Sequence, residues 1–296
     1  MFPPVVINRV NAIKNIMAQQ LQIEYKQTAE LAELERRYQS IFEPFYRRRA
    51  EIISGVYEPT VEDCYNPSDA EEDIELFTRR HILPTSGSGL KKGIPNFWLT
   101  VLQSCPPLNA LIEEHDQEVL QFLEDIRSEM LEFNENVGGY KLIFVFRKNK
   151  FFSNKELCKT YYYAKNGNFL NAEVFERAES STIYWFKDMD LSVVLTKKKQ
   201  RHKTTGKTRV FIKKEERPTF FTFFRPFKAA SVEECSESEE APFAIEQDIN
   251  VAELLRTTII PYAVLCYTGE LNMDDLYSDD IPSEEEKSEE LDSLLT

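Results

Sequence analysis

From Asn8 to Ile53 apolar residues recur at helical spacing, and no glycine occurs before Gly55. The sharpest part of the pattern is Leu31, Leu34, Tyr38, Ile41, Phe45, Arg48 and Ile52. Its alternating steps of three and four place these side chains on one narrow stripe, the seam of a heptad repeat. Val10, Ile13 and Met17 keep the same rhythm earlier, and between the two parts the seam drifts through Leu21, Tyr25 and Thr28. The other faces carry Gln, Glu, Lys and Arg. A helix of this extent is roughly 70 Å long at about 1.5 Å per residue. That exceeds the diameter of a small domain, so the stripe needs an equally long partner, most simply a second copy of itself. Pro44 removes one helical hydrogen bond and predicts a bend. The drift near Leu21 leaves open a break into two helices.

Residues 56–93 form a second segment, punctuated by Pro59, Pro67 and Pro84. It reads as an accessory helical subdomain: SDAEEDIELFTRRHI as one helix capped by Ser68 or Asp69, then PTSGSGLKKG as a loop. A third segment, residues 94–269, has a globular pattern. Leu111 to Phe133 is expected to be one helix from the spacing of Ile112, Val119, Leu120, Leu123, Ile126 and Met130. YKLIFVF alternates and is rich in aromatic and branched residues, which predicts a strand. FFSNKELCKTYYYA is expected to hold another, followed by a turn at Asn166-Gly167. STIYWF reads as extended. LSVVLTKKK and TRVFIKK read as a hairpin near residues 195–214 with a basic tip, and PTFFTFF packs aromatics behind it. Asp248 to Ile260 reads as a last helix, and residues 270–296 as an acidic, disordered tail. Long helix, short helices, antiparallel strands and a final helix amount to an α+β fold.

Charge sharpens this picture through its distribution. The formal net charge is −14 over 296 residues. From Glu270 onward eleven acids face one lysine, whereas Lys197 to Arg217 holds ten basic residues against Glu215 and Glu216. An acidic surface with a private basic arm suggests a basic protein partner and disfavours sequence-specific binding of nucleic acid. KKKQRHK is a compact basic cluster of the kind import receptors read, and a solvated charged ribbon or a nucleic-acid patch are the other readings of the same residues. In the tail, MDDLYSDDI spaces Leu276 and Tyr277 among acids, so charge attraction and local apolar docking could act together. Five scattered cysteines without a Cys-x-x-Cys fit a reducing compartment, and argue against a zinc site and a disulfide framework. The longest uncharged run, Thr257 to Gly269, is too short to span a membrane. The N-terminus has no charged region ahead of its short apolar run, unlike a secretory leader.

Catalytic signals are weak. Gly206-Lys207-Thr208 echoes a phosphate loop, but Arg201 stands where the first glycine is required. His115 and Asp116 are adjacent on a helix, about 100° apart, which is poor geometry for a relay. His81 and His202 lack metal-ligand spacing. Neither an enzymatic activity nor a cofactor is expected.

Several segments taken in order resemble the nucleosome assembly protein family. They are RVNAIKNI, LAELERRYQSIFEPFYRRRAEIISG, GIPNFWLTVL, EHDQEVLQFLEDI, KLIFVFRKNKFFSN, VVLTKKKQRHKTTG, FFTFF and TIIPYAVLCYTGE, spanning about Pro4 to Glu270. The resemblance implies a homodimer of antiparallel long helices carrying earmuff-like α+β domains. It also implies binding of core histones on an acidic face, nuclear shuttling and nucleosome assembly without ATP. The dimer contacts would be Leu31, Leu34, Tyr38, Ile41, Phe45 and Ile52. The import role, through an import receptor, falls on Lys197, Lys198, Lys199, Arg201 and Lys203. The export role falls on Val10, Ile13 and Ile16. Candidate histone-facing residues are Glu124 and Asp125 in FLEDI, the loop acids Glu233, Glu234, Glu237, Glu239 and Glu240, and Asp274, Asp275, Tyr277, Asp279 and Asp280 in the tail. The alternative from a different class is an acidic regulatory adaptor, such as a phosphatase inhibitor or scaffold.

Overall fold

The computed structural model describes residues 3–64, 92–131, 137–165, 173–201, 208–228 and 240–271. The long helix α1 spans Pro4–Ser54 as one element of 51 residues. Pro4 sits in its first turn, where a missing N–H costs nothing. The helix runs through Leu21 without a break, and through Pro44 as well. Pro44 deprives only the Ser40 carbonyl of its partner, and both residues are exposed, so water can take that bond. Gly55 ends the helix in the left-handed conformation, at φ 73°. The N–H groups of Gly55 and Val56 then return to the carbonyls of Ile52 and Glu51.

The α+β domain follows. Its helices are α2 (Val61–Cys64), α3 (Phe97–Ser104), α4 (Pro106–Asn109), α5 (Glu114–Leu120), α6 (Glu240–Leu254) and α7 (Ala263–Thr268). A wide π turn, Leu255–Ile259, joins the last two. Strands β1 (Leu123–Met130), β2 (Val137–Phe146), β3 (Glu156–Lys165), β4 (Glu173–Ser180) and β7 (Phe227–Lys228) form one antiparallel sheet in the order β1-β2-β3-β4-β7. Strands β5 (Val193–Arg201) and β6 (Thr208–Glu216) form a separate hairpin. Pairings such as Ile126↔Phe144 and Tyr140↔Tyr161 put one apolar set on the covered face. There Trp98 and Leu102 of α3 join Phe144, Phe146, Leu157 and Tyr161 in one buried cluster. The helical turn Phe220–Phe224 adds four buried rings, stacked or edge-on against one another.

The expected helix from Leu111 to Phe133 is a correction. Of its described residues only Glu114–Leu120 are helical, and Leu123–Met130 is a strand. Leu, Glu, Arg and Met are good helix formers, so the local signal misleads. Tertiary bonds decide instead. β2 takes one edge of β1, Trp98 Nε1 donates to the Glu124 carbonyl at 2.9 Å, and Gln39 ties Ser128 and Met130. STIYWF is not a regular strand either. Its one ladder contact is the isolated bridge Phe152↔Trp185. The accessory helix and loop predicted within residues 65–91, the turn at Asn166-Gly167 and the tail beyond Leu271 lie outside the described residues.

α1 returns to the domain through a glycine contact. Ile94 N–H donates to the Ile53 carbonyl at 2.9 Å, and Gly93 packs on Gly55. Gly93 has φ +66°, and a Cβ there would lie 2.1 Å from the Ile53 carbonyl oxygen. Both partners are backbone and cannot swing away. Gly93→Ala should therefore cost roughly 2 kcal/mol or more, because strain and clash add. Urea unfolding of the variant against the parent measures the loss; equal midpoints would refute the packing argument.

Candidate interaction surfaces

Two neighbouring faces of α1 have different fates. One face is fastened to the domain by polar side chains. Glu35 pairs with Arg256 at 2.9 Å. Gln39 uses its amide as a peptide would, accepting from Met130 N–H at 2.8 Å and donating to the Ser128 carbonyl at 3.4 Å. It thereby covers part of the free edge of β1. Arg49 donates to the Ile260 carbonyl, with its guanidinium near the rings of Tyr46 and Trp98 at 4.8 and 5.1 Å. Ile53 is buried in the core.

The adjacent face is bare. Leu31, Leu34, Tyr38, Ile41 and Phe45 are between 39% and 69% exposed. Val10, Ile13, Ile16, Met17, Ile23 and Phe42 are exposed as well. Ile52 alone of the predicted dimer contacts is half-buried by its own chain. Burying side chains of this size is worth about 1.5–3 kcal/mol each, so the row is a strong drive toward a partner surface.

Between α1 and β1 lies a cavity of about 270 Å³, lined in part by Glu43, Tyr46 and Arg47 of the helix and Asp125, Arg127 and Glu129 of the strand. Asp125 is only 6% exposed. Its Oδ2 is 3.4 Å from Arg127 Nε, while its Oδ1 has no hydrogen-bond partner. Burial pushes its carboxyl up to about 6, against the pull of Arg49 and Arg127. Desolvation outweighs the two cations here.

The structure separates the predicted site residues. Asp125 is an interior acid at the helix–sheet joint, not a member of an open acidic face, because Arg127 and Arg49 hold it there. Glu124 beside it is half-buried. Glu240 opens α6. Glu233, Glu234, Glu237 and Glu239 lie outside the described residues, as do Asp274, Asp275, Tyr277, Asp279 and Asp280. Lys197, Lys198, Lys199 and Arg201 fall on β5 in register with Ile212, Phe211, Val210 and Thr208, and Lys203 lies outside the described residues. Val10, Ile13 and Ile16 are solvent-facing in the single chain.

Three charged groups hold the domain together: Lys159 and Asp248, which sequence reasoning did not single out, and Asp116, which it weighed only as a poor relay partner for His115. Lys159 is fully buried; its ammonium donates to Asp248 and to the Phe223 carbonyl, each at 2.5 Å, among the rings of Phe223, Phe227 and Tyr161. Tyr161 donates to the other oxygen of Asp248 at 2.6 Å. Burial pushes Lys159 down and Asp248 up, and each restrains the other. Asp116 is also buried, accepting from the Thr219 hydroxyl and from the N–H groups of Phe220 and Glu113. These bonds close α5 and tie it to the aromatic turn, which explains Asp116 without a relay to His115. Among the described residues no group of His, Cys, Asp and Glu has the arrangement of a metal site. No helix among them is long and apolar enough to cross a membrane.

Asp125 makes stability depend on pH. Its folded pKa lies above the ordinary 3.8. The folded state therefore holds the proton to higher pH than the unfolded state does. The associated stability is complete below about pH 4 and is lost as pH rises through about 6, by at most about 3 kcal/mol. Asp125→Asn mimics the protonated form. Its stability relative to the parent should improve between pH 5 and 7.5 in urea titrations. A difference that stays constant over that range would show that Asp125 titrates normally.

A sequence model of the nucleosome assembly protein family matches residues 8–270. Nucleosome assembly protein 1-like 1-B of Xenopus laevis is 35% identical over 283 residues, which cover 92% of this chain and 71% of that protein. Nucleosome assembly protein 1-like 1 of Homo sapiens is also 35% identical, covering 92% of this chain and 72% of its own. The solved nucleosome assembly protein 1 from Plasmodium knowlesi shares the fold with a TM-score of 0.55 at 24% identity, over 92% of this chain and all of that one. By the family match and by relatives above 30% identity that align along most of its length, this chain belongs to the nucleosome assembly protein family.

Proposed function

We propose that the protein is a histone chaperone: it binds core histones through its acidic surface and delivers them to DNA without ATP. The observation that carries this reading is the net charge of −14 in a member of this family. Histones are strongly basic and aggregate with DNA when mixed directly. A carrier must cover their charge yet release them to a denser polyanion. A surface of many exposed acids does both, since each contact is weak and screened by salt. Core histones pulled down by the protein at physiological salt, and supercoils introduced into relaxed plasmid without ATP, are the expected results. Absence of both would overturn the reading.

The bare row on α1 supports an antiparallel homodimer. Reversing α1 on itself about a point between Gln27 and Thr28 sets Val10 against Phe45, Met17 against Tyr38 and Leu21 against Leu34. Apolar residues then meet apolar residues along the seam, as paired helices require. Import is assigned to the lysines of β5 and export to Val10, Ile13 and Ile16, so the protein shuttles between nucleus and cytoplasm. In this register the pair covers Val10 and Ile13, and export through them needs the first turns of α1 free.

Sedimentation should give twice the chain mass of 34.6 kDa. Met17→Cys/Tyr38→Cys should oxidise to a cross-linked dimer, whereas Met17→Cys alone should not. A single-chain mass, or cross-linking by the single variant to the same extent, would remove the antiparallel pair.

A further inference from the structure

Cations and exposed rings share the end of the sheet where β2 turns into β3. Phe146 N–H donates to the Lys155 carbonyl at 2.8 Å and closes that turn. Its residues include Arg147, Lys148, Lys150 and Lys155 and no acid, a local excess in a chain of net charge −14. The segment STIYWF runs beside it. Phe152 and Trp185 form the antiparallel bridge between the two. On either side of the bridge Phe186 N–H donates to the Phe151 carbonyl at 2.8 Å, and Ser153 N–H to the Tyr184 carbonyl at 3.1 Å. Phe152 and Trp185 turn inward, edge-on to each other at 5.4 Å and packed on the core. Alternation then puts Tyr184 and Phe186 on the opposite side, where they are 64% and 46% exposed.

Phe151, across from Phe186, continues that side and meets the Phe122 ring edge-on at 6.2 Å. Lys150 lies over Phe151 at 5.2 Å, and Arg147 over Phe122 at 5.1 Å. Lys187 follows Phe186, and both it and Lys148 are exposed. The neighbouring acids are fewer. Glu118 of α5 pairs with Lys150 at 2.5 Å, both side chains being more than half exposed. Asp188 is exposed, and Asp190 accepts from the N–H and the hydroxyl of Ser192. Glu156 points to the other face of the sheet, toward Arg127 at 3.4 Å.

We propose that this strip binds a single-stranded segment of nucleic acid without regard to base sequence. Unpaired bases stack on Tyr184 and Phe186, and the phosphates follow Lys148, Lys150 and Lys187. Aromatic rings set along a line of cations are the recurring platform for single strands, because every base offers a π face. Tyr184 and Phe186 stand two residues apart on an extended segment, about 7 Å. That is about twice the 3.4 Å rise of bases stacked in a duplex, so the spacing suits an extended, unstacked strand. A duplex hides its base faces and would use the lysines alone. The acidic remainder of the molecule acts at a distance, and salt screens it beyond about 8 Å, whereas contacts on the strip persist. The inference stands apart from the chaperone reading and concerns a different class of partner.

Binding of a fluorescent twelve-nucleotide oligothymidylate to the full chain, read by anisotropy, tests the strip. Tyr184→Ala and Phe186→Ala should each weaken binding about fivefold or more, as for a lost base stack. Both side chains are open to solvent, and unchanged thermal unfolding midpoints verify that the variants fold. Lys150→Glu combined with Lys187→Glu should weaken binding at least tenfold. Glu118→Gln, which frees Lys150, should tighten it about twofold. Engaging three phosphates gives a slope of log affinity against log salt near about −2. In the unmodified protein the oligonucleotide should move the amide resonances of Lys150 and Lys187 and leave those of Lys213 and Lys214 on the β5–β6 hairpin in place. Movement confined to the hairpin, or no binding at low salt, overturns the proposal. Equal binding of a duplex with no effect of either ring variant reduces the strip to unspecific charge and overturns it too. Tighter binding of a peptide of residues 273–281, MDDLYSDDI, would assign the strip to an acidic protein segment instead.

Discussion

A helix of 51 residues is about 75 Å long, whereas the domain it serves can cover only part of that length. This mismatch governs the architecture. The first described tie from α1 to the domain is at Glu35, and the last is at Ile53. The preceding turns carry exposed Ile13, Ile16, Met17 and Ile23 with no domain beneath them in the described contacts. A lone amphipathic helix of this kind gains little from propensity; its stability comes from packing. The bare row therefore links folding to association. Whatever covers it stabilises the helix and, through Glu35, Gln39 and Arg49, fixes where the domain hangs.

The joint between helix and domain is polar, and this has a physical sense. Apolar contacts alone would let α1 slide by a turn along the sheet edge, because one heptad looks much like the next. Gln39 prevents it: its amide satisfies one donor and one acceptor two residues apart on β1, and no other Gln or Asn lies within seven residues of it on the helix. Arg49, set between Tyr46 and Trp98, adds a second fixed point. Buried polar groups of this sort contribute specificity of arrangement more than net stability. Lys159 with Asp248 does the same for α6 against the sheet, and Asp116 for α5 against the aromatic turn.

What was legible in the chain follows from the range of the forces involved. The heptad seam, the β5–β6 hairpin and the strand YKLIFVF are periodic over many residues, and each was readable. The helix-forming residues of LEDIRSEM gave the wrong answer, because β1 is stabilised by Trp98, Gln39 and β2, none of them local to it. Buried charge was equally opaque. Lys159 and Asp248 are 89 residues apart, and neither stands in an unusual local context. Asp125 could be nominated from FLEDI as an acid but not as an interior one, since its burial depends on Arg49 and the flank of α1. Distribution of charge was visible as composition; its depth was not.

Depth matters for a carrier that has to let go. Exposed acids act over about 8 Å at physiological salt, and added ions weaken them all together. They supply attraction and reversibility but no register, since one arrangement of a cationic partner is nearly as good as the next. A carboxylate held inside the helix–sheet joint behaves differently. It is shielded from bulk ions, and its position is fixed by Arg127 and the walls around it. The structure has numerous exposed acids and, at the α1–β1 joint, one buried carboxylate oxygen without a partner. Attraction for a cationic partner therefore falls to the exposed acids, while the buried one, between Arg127 and Arg49, belongs to the joint that positions α1 on the domain.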